Sequence, residues 1–371
     1  MRILIPITNF GHGGGGRVLS RLASAWTAAG HPTDFLVDAR SPKPYFPTDA
    51  GVHRFDERGL VDGPAPDESA FASSGNGLSI YQGMYHGLNQ IGTNYDVILA
   101  NHSLTAWPVR FARAGNARKF YYVQAYEPEY FALESGWKSK VLRRFSEWSY
   151  SLALHQIANA PIYVGHRSIR ATSWIPPGLD VSVFHRRSAI PHFSDRDTPI
   201  VIGTIGRKEA TKGTIHVLEA FTRLHALDPR FRLRVAFGNL PDGWAQRPGI
   251  EVVAPRGDAE LAAYYRSVDI LAAPGTVQLG ACHYPVLEAM ASGTPVVTTG
   301  YLPASADNSW LVPVRDSDAV ADAILNIVAT PAHELERRLD LAHSAVQRFS
   351  WQQVAKDFLD QFSNAAKLSH D

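Results

Sequence analysis

The stretch that decides the fold is at the start of the chain, where residues 2–38 read RILIPITNFGHGGGGRVLSRLASAWTAAGHPTDFLVD. Arg2–Thr8 is apolar and β-prone, and a glycine loop follows it at Gly11–Gly16. Arg17–Ala29 has the apolar periodicity of a helix, and Thr33–Val37 is again strand-like. These residues therefore predict a βαβ unit with two parallel strands.

Strand and helix patterns go on alternating through both halves of the chain. Residues 41–79 are rich in Pro, Gly, Asp and Ser and predict an irregular excursion, after which Asp96–Ala100 and Lys119–Gln124 resume the buried-strand pattern. Later predicted strands and helices are Ile200–Ile205, Gly213–Ala226, Arg232–Phe237, Ile250–Val253, Asp258–Arg266, Asp269–Ala273, Thr294–Thr298 and Trp310–Val314. This pattern predicts an α/β fold of two Rossmann-like domains, whose parallel sheets face a central cleft with their ligand loops.

The length of the chain agrees with two domains. Its 371 residues exceed the size at which a single hydrophobic core usually stops growing. A boundary is predicted in Ile175–Asp180, which contains Pro-Pro-Gly and precedes the polar stretch Arg186–Thr198. The domains would then be residues 1–178 and residues 179–350, with a last segment at residues 351–371.

The net charge of the chain bears on its binding partners, and its cysteine content bears on its cellular compartment. The formal net charge is +1, from 36 basic and 35 acidic residues, so attraction to nucleic acid or anionic lipid would have to come from a local patch. We expect no nucleic-acid partner. The one cysteine, Cys282, cannot form an intrachain disulfide, which favours the reducing cytoplasm. No run approaches the roughly 20 apolar residues of a membrane span, and the first residues lack the features of a signal peptide. A cytoplasmic protein is therefore expected.

The segment Trp137–Ala153 predicts an amphipathic surface helix. Its apolar residues repeat at helical spacing and its basic residues lie mostly on other faces, the two sets being Trp137, Val141, Phe145, Trp148 and Leu152, and Lys138, Lys140, Arg143 and Arg144. Two interpretations stay open. The helix is either an ordinary surface helix or one that also touches anionic lipid headgroups, which would place the protein peripherally at the inner face of the membrane.

The glycine loop also has more than one interpretation. Gly11–Gly16 fits the G-x-G-x-x-G pattern of dinucleotide-binding folds, and Asp38 ends the next strand, near the spacing of about 20 residues at which such folds carry an acidic residue. Glycines let a phosphate approach the backbone, and a helix N-terminus supplies N–H donors. A run this rich in glycine satisfies many patterns, so an NAD site, an acceptor or phosphate loop and a plain tight turn all stay open.

Two cations mark a loop in the second half. The predicted strand Ile200–Ile205 runs into GRKEATKG at residues 206–213, so Arg207 and Lys212 fall between a strand and a helix. Arg offers a planar fork for phosphate oxygens, and Lys a compact charge that can neutralise a leaving group. The loop suits a diphosphate, although a solvated loop with ordinary surface charge explains the same residues.

A carboxylate follows in PVLEAMASGTPVV at residues 285–297. Pro285 begins a short helix and Gly293 ends it, so Glu288 lies early in the helix. Glu288 can accept hydrogen bonds from the two hydroxyls of a ribose, or it can complement the helix dipole at a partly exposed site. The residues alone leave both interpretations open.

Taken together, these segments resemble the retaining GT-B glycosyltransferases of family four over nearly the whole chain. The resemblance rests on the glycine loop, Ile175–Asp180, the G-R-x4-K-G element at Gly206–Gly213 and the run Pro285–Val297. It includes Phe349–Trp351, which opens a last helix that in such enzymes crosses back onto the first domain. It implies a GT-B fold and the transfer of a hexosyl or deoxyhexosyl group from a nucleotide-diphosphate sugar to a glycan or lipid-linked glycan, in polysaccharide or glycoconjugate biosynthesis.

The resemblance also implies roles for individual residues. Arg207 and Lys212 would bind the donor diphosphate and assist its departure, and Glu288 would bind the ribose. The donor sugar and phosphate would lie along the backbone of Ala281, Cys282, His283 and Tyr284. The acceptor and the leaving phosphate would lie near Gly13, Gly14, Gly15, Gly16 and Arg17. On this interpretation Asp38 belongs to the scaffold.

Two positions depart from the family pattern. Family members commonly have glutamate eight residues before the residue matched by Glu288, and here that position is Gly280, which leaves the donor sugar open. The histidine often found after the fourth strand is missing from Tyr121–Pro128. His102 and Glu127 then become candidates for a catalytic group, although a lone histidine at a strand end is as often structural. The sequences around Glu127 and around His283 resemble those of a rhamnosyltransferase-like branch of bacterial surface-polysaccharide enzymes.

We expect neither a metal nor a resident cofactor besides the donor substrate. Asp195–Asp197 and Asp316–Asp318 imitate the metal-binding D-x-D motif, but the first lies in a polar linker and the second starts a helix, where Asp is a common cap. Retaining transfer needs no enzymic nucleophile if the acceptor attacks on the face that the diphosphate leaves and a phosphate oxygen takes the proton.

Two rival functions remain. An NAD(P)-dependent oxidoreductase or sugar-nucleotide epimerase would use the first glycine loop, but it leaves Arg207, Lys212 and Glu288 unexplained. A catalytically silent sugar-nucleotide-binding protein would account for Gly280 and for the missing histidine. Turnover of a nucleotide sugar separates an enzyme from the silent protein.

Overall fold

A computed structural model describes residues 1–11, 14–63, 77, 79–132, 136–191, 193 and 198–367. Contacts divide the chain into two compact units. The first unit consists of residues 1–178 together with the segment from residue 351 onward, and the second of residues 179–350.

The strands and helices alternate along the chain. The strands are β1 (Ile3–Ile7), β2 (Thr33–Asp38), β3 (Gly51–Asp56), β4 (Gly59–Val61), β5 (Val97–Ala100), β6 (Arg118–Val123), β7 (His155–Ala158), β8 (Ile200–Ile205), β9 (Phe231–Ala236), β10 (Ile250–Val253), β11 (Ile270–Ala273), β12 (Val296–Thr298) and β13 (Trp310–Leu311). The helices are α1 (Gly14–Ala28), α2 (Ser79–Ile91), α3 (Ser103–Phe111), α4 (Pro128–Ala132), α5 (Trp137–Ser149), α6 (Thr214–Leu227), α7 (Gly257–Ser267), α8 (Tyr284–Ala291), α9 (Ser317–Ala329), α10 (Ala332–Val346) and α11 (Trp351–Lys367).

Each unit contains a sheet of the predicted parallel kind. The order in the first unit is β4-β3-β2-β1-β5-β6-β7, with only β4 antiparallel to its neighbour among the described pairs. The order in the second unit is β10-β9-β8-β11-β12-β13, and these pairs are parallel. In both sheets the order reverses at the first strand of the unit, β1 or β8, and loops beside such a reversal are where parallel α/β sheets bind ligands.

The C-terminal helix α11 belongs to the first unit and packs on α1. The ring of Trp26 lies 5.5 Å from that of Phe358 and 5.7 Å from that of Phe362, and its indole N–H donates a hydrogen bond of 3.1 Å to the carbonyl oxygen of Ala355. The chain enters α11 at Trp351, whose ring lies so close to Gly178 that a Cβ there would approach it to 2.2 Å. The last helix therefore belongs to the first unit.

Part of the predicted excursion at residues 41–79 is regular, and that expectation was wrong for the strands β3 and β4. β3 pairs with β2 in parallel register, with Phe35 opposite Val52. Only Arg54 and Phe55 of β3 are buried, so the strand lacks the apolar run by which a buried strand is recognised. The backbone pairing of β3 with β2 holds this strand in place. Such pairing leaves no apolar pattern in the sequence.

Helix α1 begins earlier than predicted. It starts at Gly14, inside the glycine run, rather than at Arg17.

Helix α5 buries its polar face and not the apolar face that a surface helix usually buries. Its buried residues are Ser139, Ser146 and Ser149. The apolar stripe that was expected to give the helix an ordinary amphipathic character is exposed, and its members are Trp137, Val141, Phe145 and Trp148. None of the described helices has the length and apolar character needed to span a bilayer.

Trp26 provides a test of the contact between α1 and α11. Trp26→Ala removes a fully buried ring, so it should lower the free energy of unfolding of the first unit by about 3–5 kcal/mol. Trp137→Ala, which removes an exposed ring in the same unit, should change it by no more than about 0.5 kcal/mol. Urea unfolding curves of both variants measure the difference, and equal losses would contradict this packing.

Candidate active site

The loop that carries the two cations connects β8 to α6. The backbone N–H of Arg207 donates to the hydroxyl of Thr214 at 3.1 Å, which ties the beginning of the loop to the first turn of the helix. Residues 210–212 form a short 3-10 turn that ends in Gly213. Arg207 and Lys212 thus project from a folded loop at the carboxyl end of β8, the position that the sequence predicted.

Glycines at both ends of this loop allow close backbone contacts. A Cβ on Gly206 would come within 1.7 Å of the carbonyl oxygen of Gly238. Gly213 has a φ of 75°, and a Cβ there would come within 2.0 Å of the carbonyl oxygen of Pro274. Because neither position can accept a side chain without a backbone shift, the loop is fixed against the loops that follow β9 and β11.

The loop after β11 brings the predicted sugar-binding segment to the cationic loop. The backbone N–H of Thr276 donates to the carbonyl oxygen of Thr211 at 2.9 Å. The segment then turns at Gly280, whose φ of 84° lies in the left-handed region that disfavours side chains. The position where the family commonly has glutamate is therefore one where this chain's backbone favours glycine.

Electrostatics show that His283 lies in the field of both cations. Burial lowers the pKa of His283 to about 3, and the positive charges of Lys212 and Arg207 contribute to that shift. The Nδ1 atom of His283 is buried and has no hydrogen-bond partner among the described residues. The ring is neutral at physiological pH. It packs against the ring of Tyr301, with 4.6 Å between the ring centroids.

Lys212 is itself under electrostatic strain. Loss of hydration lowers the pKa of Lys212, the charge of Arg207 lowers it further, and Glu209 opposes the shift. Two like charges on one loop raise each other's free energy, and a bound anion would relieve that repulsion. The arrangement is therefore one that favours an anion with several negative oxygens.

Glu288 is buried, so the interpretation as a partly exposed partner of the helix dipole was wrong. Its side chain is 2% exposed, and its Oε2 accepts a hydrogen bond of 2.9 Å from the hydroxyl of Tyr265 on α7. It lies one turn inside α8, on the same face as Tyr284. A buried carboxylate oriented by a tyrosine is a rigid acceptor for hydroxyl groups, and sequence reasoning did not identify Tyr265.

In the first unit, the glycine loop lines a cavity of about 270 Å³. Gly11, Gly15 and Gly16 contribute to its wall, as do His102 and Gln124. A Cβ on Gly16 would come within 2.8 Å of the carbonyl oxygen of Gly11, so the loop folds tightly back on itself. Gly13 and His12 lie outside the described residues.

His102 and Glu127 form a hydrogen-bonded pair. The Nε2 of His102 lies 3.1 Å from a Glu127 carboxylate oxygen, and its Nδ1 accepts from the backbone N–H of Leu104 at 3.1 Å. Buried Glu127 also accepts from the backbone N–H and the hydroxyl of Ser103, at 2.9 and 2.5 Å. His102 is the N-cap of α3. Both ring nitrogens are thus engaged, and Glu127 fixes the orientation of the ring.

Two of the acidic candidates have structural partners. The carboxylate of Asp38 accepts three hydrogen bonds of 2.8 Å from Arg40, which agrees with a scaffold role. Asp316 accepts from the backbone N–H of Ala319 at 2.8 Å and caps α9, as predicted. Asp195–Asp197 lies outside the described residues. Within the described ranges, no group of three or more His, Cys, Asp or Glu side chains could hold a metal ion.

Both units match known protein families. Residues 199–330 match the family model described as glycosyl transferases group 1, and residues 13–165 match the glycosyl transferase 4-like domain.

Two curated relatives are D-inositol 3-phosphate glycosyltransferases. The protein of Stackebrandtia nassauensis is 30% identical over 226 residues, which are 51% of this chain and 48% of the relative. The protein of Corynebacterium jeikeium is 32% identical over 208 residues, 49% of each chain. The chain thus matches about half the length of these relatives.

Solved structures show the same fold over the whole chain. Sucrose-phosphate synthase from Thermosynechococcus elongatus has a TM-score of 0.73 at 18% identity and covers 99% of this chain and 100% of its own. Anabaena HepE in complex with UDP-glucose has a TM-score of 0.66 at 17% identity, with coverage of 98% and 100%. At these identities the likeness shows the fold alone, which is of the GT-B type.

His283 provides a test of the site's electrostatics. Because its pKa of about 3 lies below the ordinary 6.5, the unfolded chain binds the extra proton between those values, and stability falls as the pH falls. From pH 7 to pH 5 this single group should lower the free energy of unfolding by roughly 1–2 kcal/mol. His283→Asn should remove that part of the pH dependence in urea unfolding.

The control is His185→Asn, which removes an exposed histidine of the same unit. An unaltered pH dependence of unfolding in His283→Asn would contradict the buried, neutral state of this ring.

Proposed function

We propose that the chain is a group 1 glycosyltransferase, and that it moves a hexosyl or deoxyhexosyl group from a nucleotide-diphosphate donor to a glycan or lipid-linked glycan acceptor. The observation that carries the proposal is the loop between β8 and α6, which holds Arg207 and Lys212 together beside neutral His283. This geometry matches the needs of a diphosphate better than those of any neutral ligand.

The donor binds to the second unit in this proposal. The Arg207 guanidinium pairs with phosphate oxygens through its planar fork, and Lys212 neutralises the charge that develops on the departing diphosphate. Glu288 accepts hydrogen bonds from the ribose hydroxyls, and the hydrogen bond from Tyr265 keeps its carboxylate in place. The sugar lies along the backbone of Ala281, Cys282, His283 and Tyr284.

The acceptor binds to the first unit, near the cavity that the glycine loop lines. Gly14, Gly15 and Gly16 begin α1, so the backbone N–H groups of the first turn can meet a phosphate, and Gly13 and Arg17 flank them. Glu127 positions the His102 ring at the same cavity. A catalytic role for His102 or Glu127 stays a prediction. To act as a base, His102 would need a free ring nitrogen, and both of its ring nitrogens are engaged.

The reaction we propose is retaining and independent of metal and of any resident cofactor. The acceptor attacks on the face that the diphosphate leaves, and a phosphate oxygen takes its proton, so the chain supplies positioning and charge. We further propose a cytoplasmic location, and a rhamnosyltransferase-like branch with a bacterial surface polysaccharide as the product. The names of the curated relatives make a cyclitol phosphate the alternative acceptor.

The rivals are less well supported. The matched families give no support to an oxidoreductase or epimerase, and the Asp38 carboxylate that a dinucleotide would need already binds Arg40. A silent binding protein would bind the donor without turnover, so turnover decides between it and the enzyme.

Arg207 and Lys212 provide the sharpest test of the donor site. A hydrogen bond to a charged group contributes about 1.5–3 kcal/mol, so Arg207→Ala and Lys212→Ala should each lower donor-dependent turnover by at least roughly 10- to 100-fold. Lys212→Ala should show the loss in kcat as well as in donor KM, because its charge acts on the leaving group. Folding stability should change by no more than about 1 kcal/mol, since the loop has no core role.

The matched control is Lys208→Ala, which removes an exposed cation from the same loop and should keep turnover within about twofold. Turnover close to that of the wild type in both site variants would refute the assignment of the donor site.

Metal independence and retention are tested in one reaction. With EDTA present, turnover should continue, because Arg207 and Lys212 supply the positive charge. Proton NMR of the product should show the anomeric configuration of the donor sugar. Loss of turnover that manganese or magnesium restores, or a product of opposite configuration, would contradict the corresponding part of the proposal.

A further inference from the structure

Helix α5 exposes the face that a surface helix normally buries. Its serine side packs on the first unit, whereas Trp137 is 72% exposed and Trp148 is 47% exposed. Val141 and Phe145, at 44% and 42% exposure, lie on the same side at helical spacing. A stripe of two tryptophans, a phenylalanine and a valine therefore faces outward along the whole helix.

The stripe continues onto the neighbouring helix α3. Trp107 packs edge-on against Phe145, at 5.6 Å between ring centroids, and stacks on Phe111 at 6.2 Å. The indole N–H of Trp107 donates to the carbonyl oxygen of Phe145 at 3.4 Å, which joins the two helices. Phe111 is itself 58% exposed. We call this continuous surface, formed by Trp107, Phe111, Trp137, Val141, Phe145 and Trp148, the aromatic face.

Cations border the aromatic face. Helix α5 carries Lys138, Lys140, Arg143 and Arg144, all exposed, and the Arg144 guanidinium lies 5.2 Å from the centre of the Trp148 ring. The acidic residue of the same helix, Glu147, already accepts hydrogen bonds from the hydroxyls of Tyr126 and Ser168. The four cations of the helix outnumber this one carboxylate, so the border of the face carries a net positive charge.

Three of these cations also line a cavity. Lys140, Arg143 and Arg144 surround a space of about 450 Å³ together with Arg167, Tyr126 and Glu147. Arg167 lies 4.9 Å from the centre of the Tyr126 ring. This cavity is lined mostly by cations, and one of them, Arg144, also lies over the Trp148 ring, so the cavity suits an anionic headgroup held next to the aromatic face.

We propose that the aromatic face docks the protein on an anionic lipid bilayer, with α5 lying in the interface. Tryptophan rings favour the headgroup level, and Lys and Arg side chains reach from an apolar face to lipid phosphates. Lysine is depleted in protein–protein interfaces, so the two lysines on this helix fit a lipid surface better than a second protein. Each cation near an anionic membrane strengthens binding by about fivefold.

Sedimentation of the full chain with vesicles tests this surface without any sugar donor, so its outcome is independent of the transfer reaction. Phosphatidylcholine vesicles with about 30% phosphatidylglycerol should bind the protein, and binding should weaken as salt is raised. Pure phosphatidylcholine should bind it at least tenfold more weakly.

Two pairs of substitutions separate the contributions of rings and charges. Trp137→Ser with Trp148→Ser, and Lys140→Glu with Arg143→Glu, should each weaken binding to the anionic vesicles by at least tenfold. The controls are Leu227→Ser, an exposed apolar residue elsewhere, and Arg58→Glu with Lys356→Glu, exposed cations of the first unit. The controls should bind within about twofold of the wild type.

Three results would overturn the proposal. The first is equal binding to neutral and anionic vesicles, and the second is equal losses in the control and face variants. The third is a wild-type oligomer, seen by sedimentation velocity, that the Trp137→Ser with Trp148→Ser variant dissociates, which would make the face an interface between copies of this chain.

Discussion

The donor site that we propose depends on two like charges, Arg207 and Lys212, which one short loop holds together. The loop can do so because its glycines, Gly206 and Gly213, lie against the carbonyl oxygens of Gly238 and Pro274. Without a Cβ at either end, the backbone comes close enough to its neighbours to be fixed before any ligand binds. Preorganised charge of this kind favours an anion without a reorganisation cost.

The same field explains the surroundings of the loop. His283 lies near both cations and stays neutral, so it adds no third charge. Glu288 is buried and oriented by Tyr265, which keeps a carboxylate at a defined place in the second unit. In the proposed donor site, cations on a loop bind the phosphates and a carboxylate inside a helix binds the hydroxyls, so different parts of the second unit would carry the two roles.

The sequence predicted the features that depend on local pattern. The βαβ start, the strand β8, the loop with Arg207 and Lys212, and the short helix of Glu288 follow from apolar periodicity and from the positions of glycine and proline. The sequence did not show what depends on distant packing. The burial of Glu288 depends on Tyr265, the strand β3 depends on pairing with β2, and the outward stripe of α5 depends on which face its serines meet. His102 was taken for a strand-end residue. Its cap on α3 is a local contact with the backbone N–H of Leu104, and what the sequence did not show is the contact of its ring with Glu127, 25 residues further on.

Hydrogen exchange with and without a nucleoside diphosphate tests the central claim most directly, because it locates the ligand on the chain without knowledge of the sugar or the acceptor. We expect UDP, GDP or dTDP to slow exchange in residues 206–213 and 284–293 of the second unit. Slowed exchange confined to residues 11–38, produced by NAD and not by these diphosphates, would contradict it.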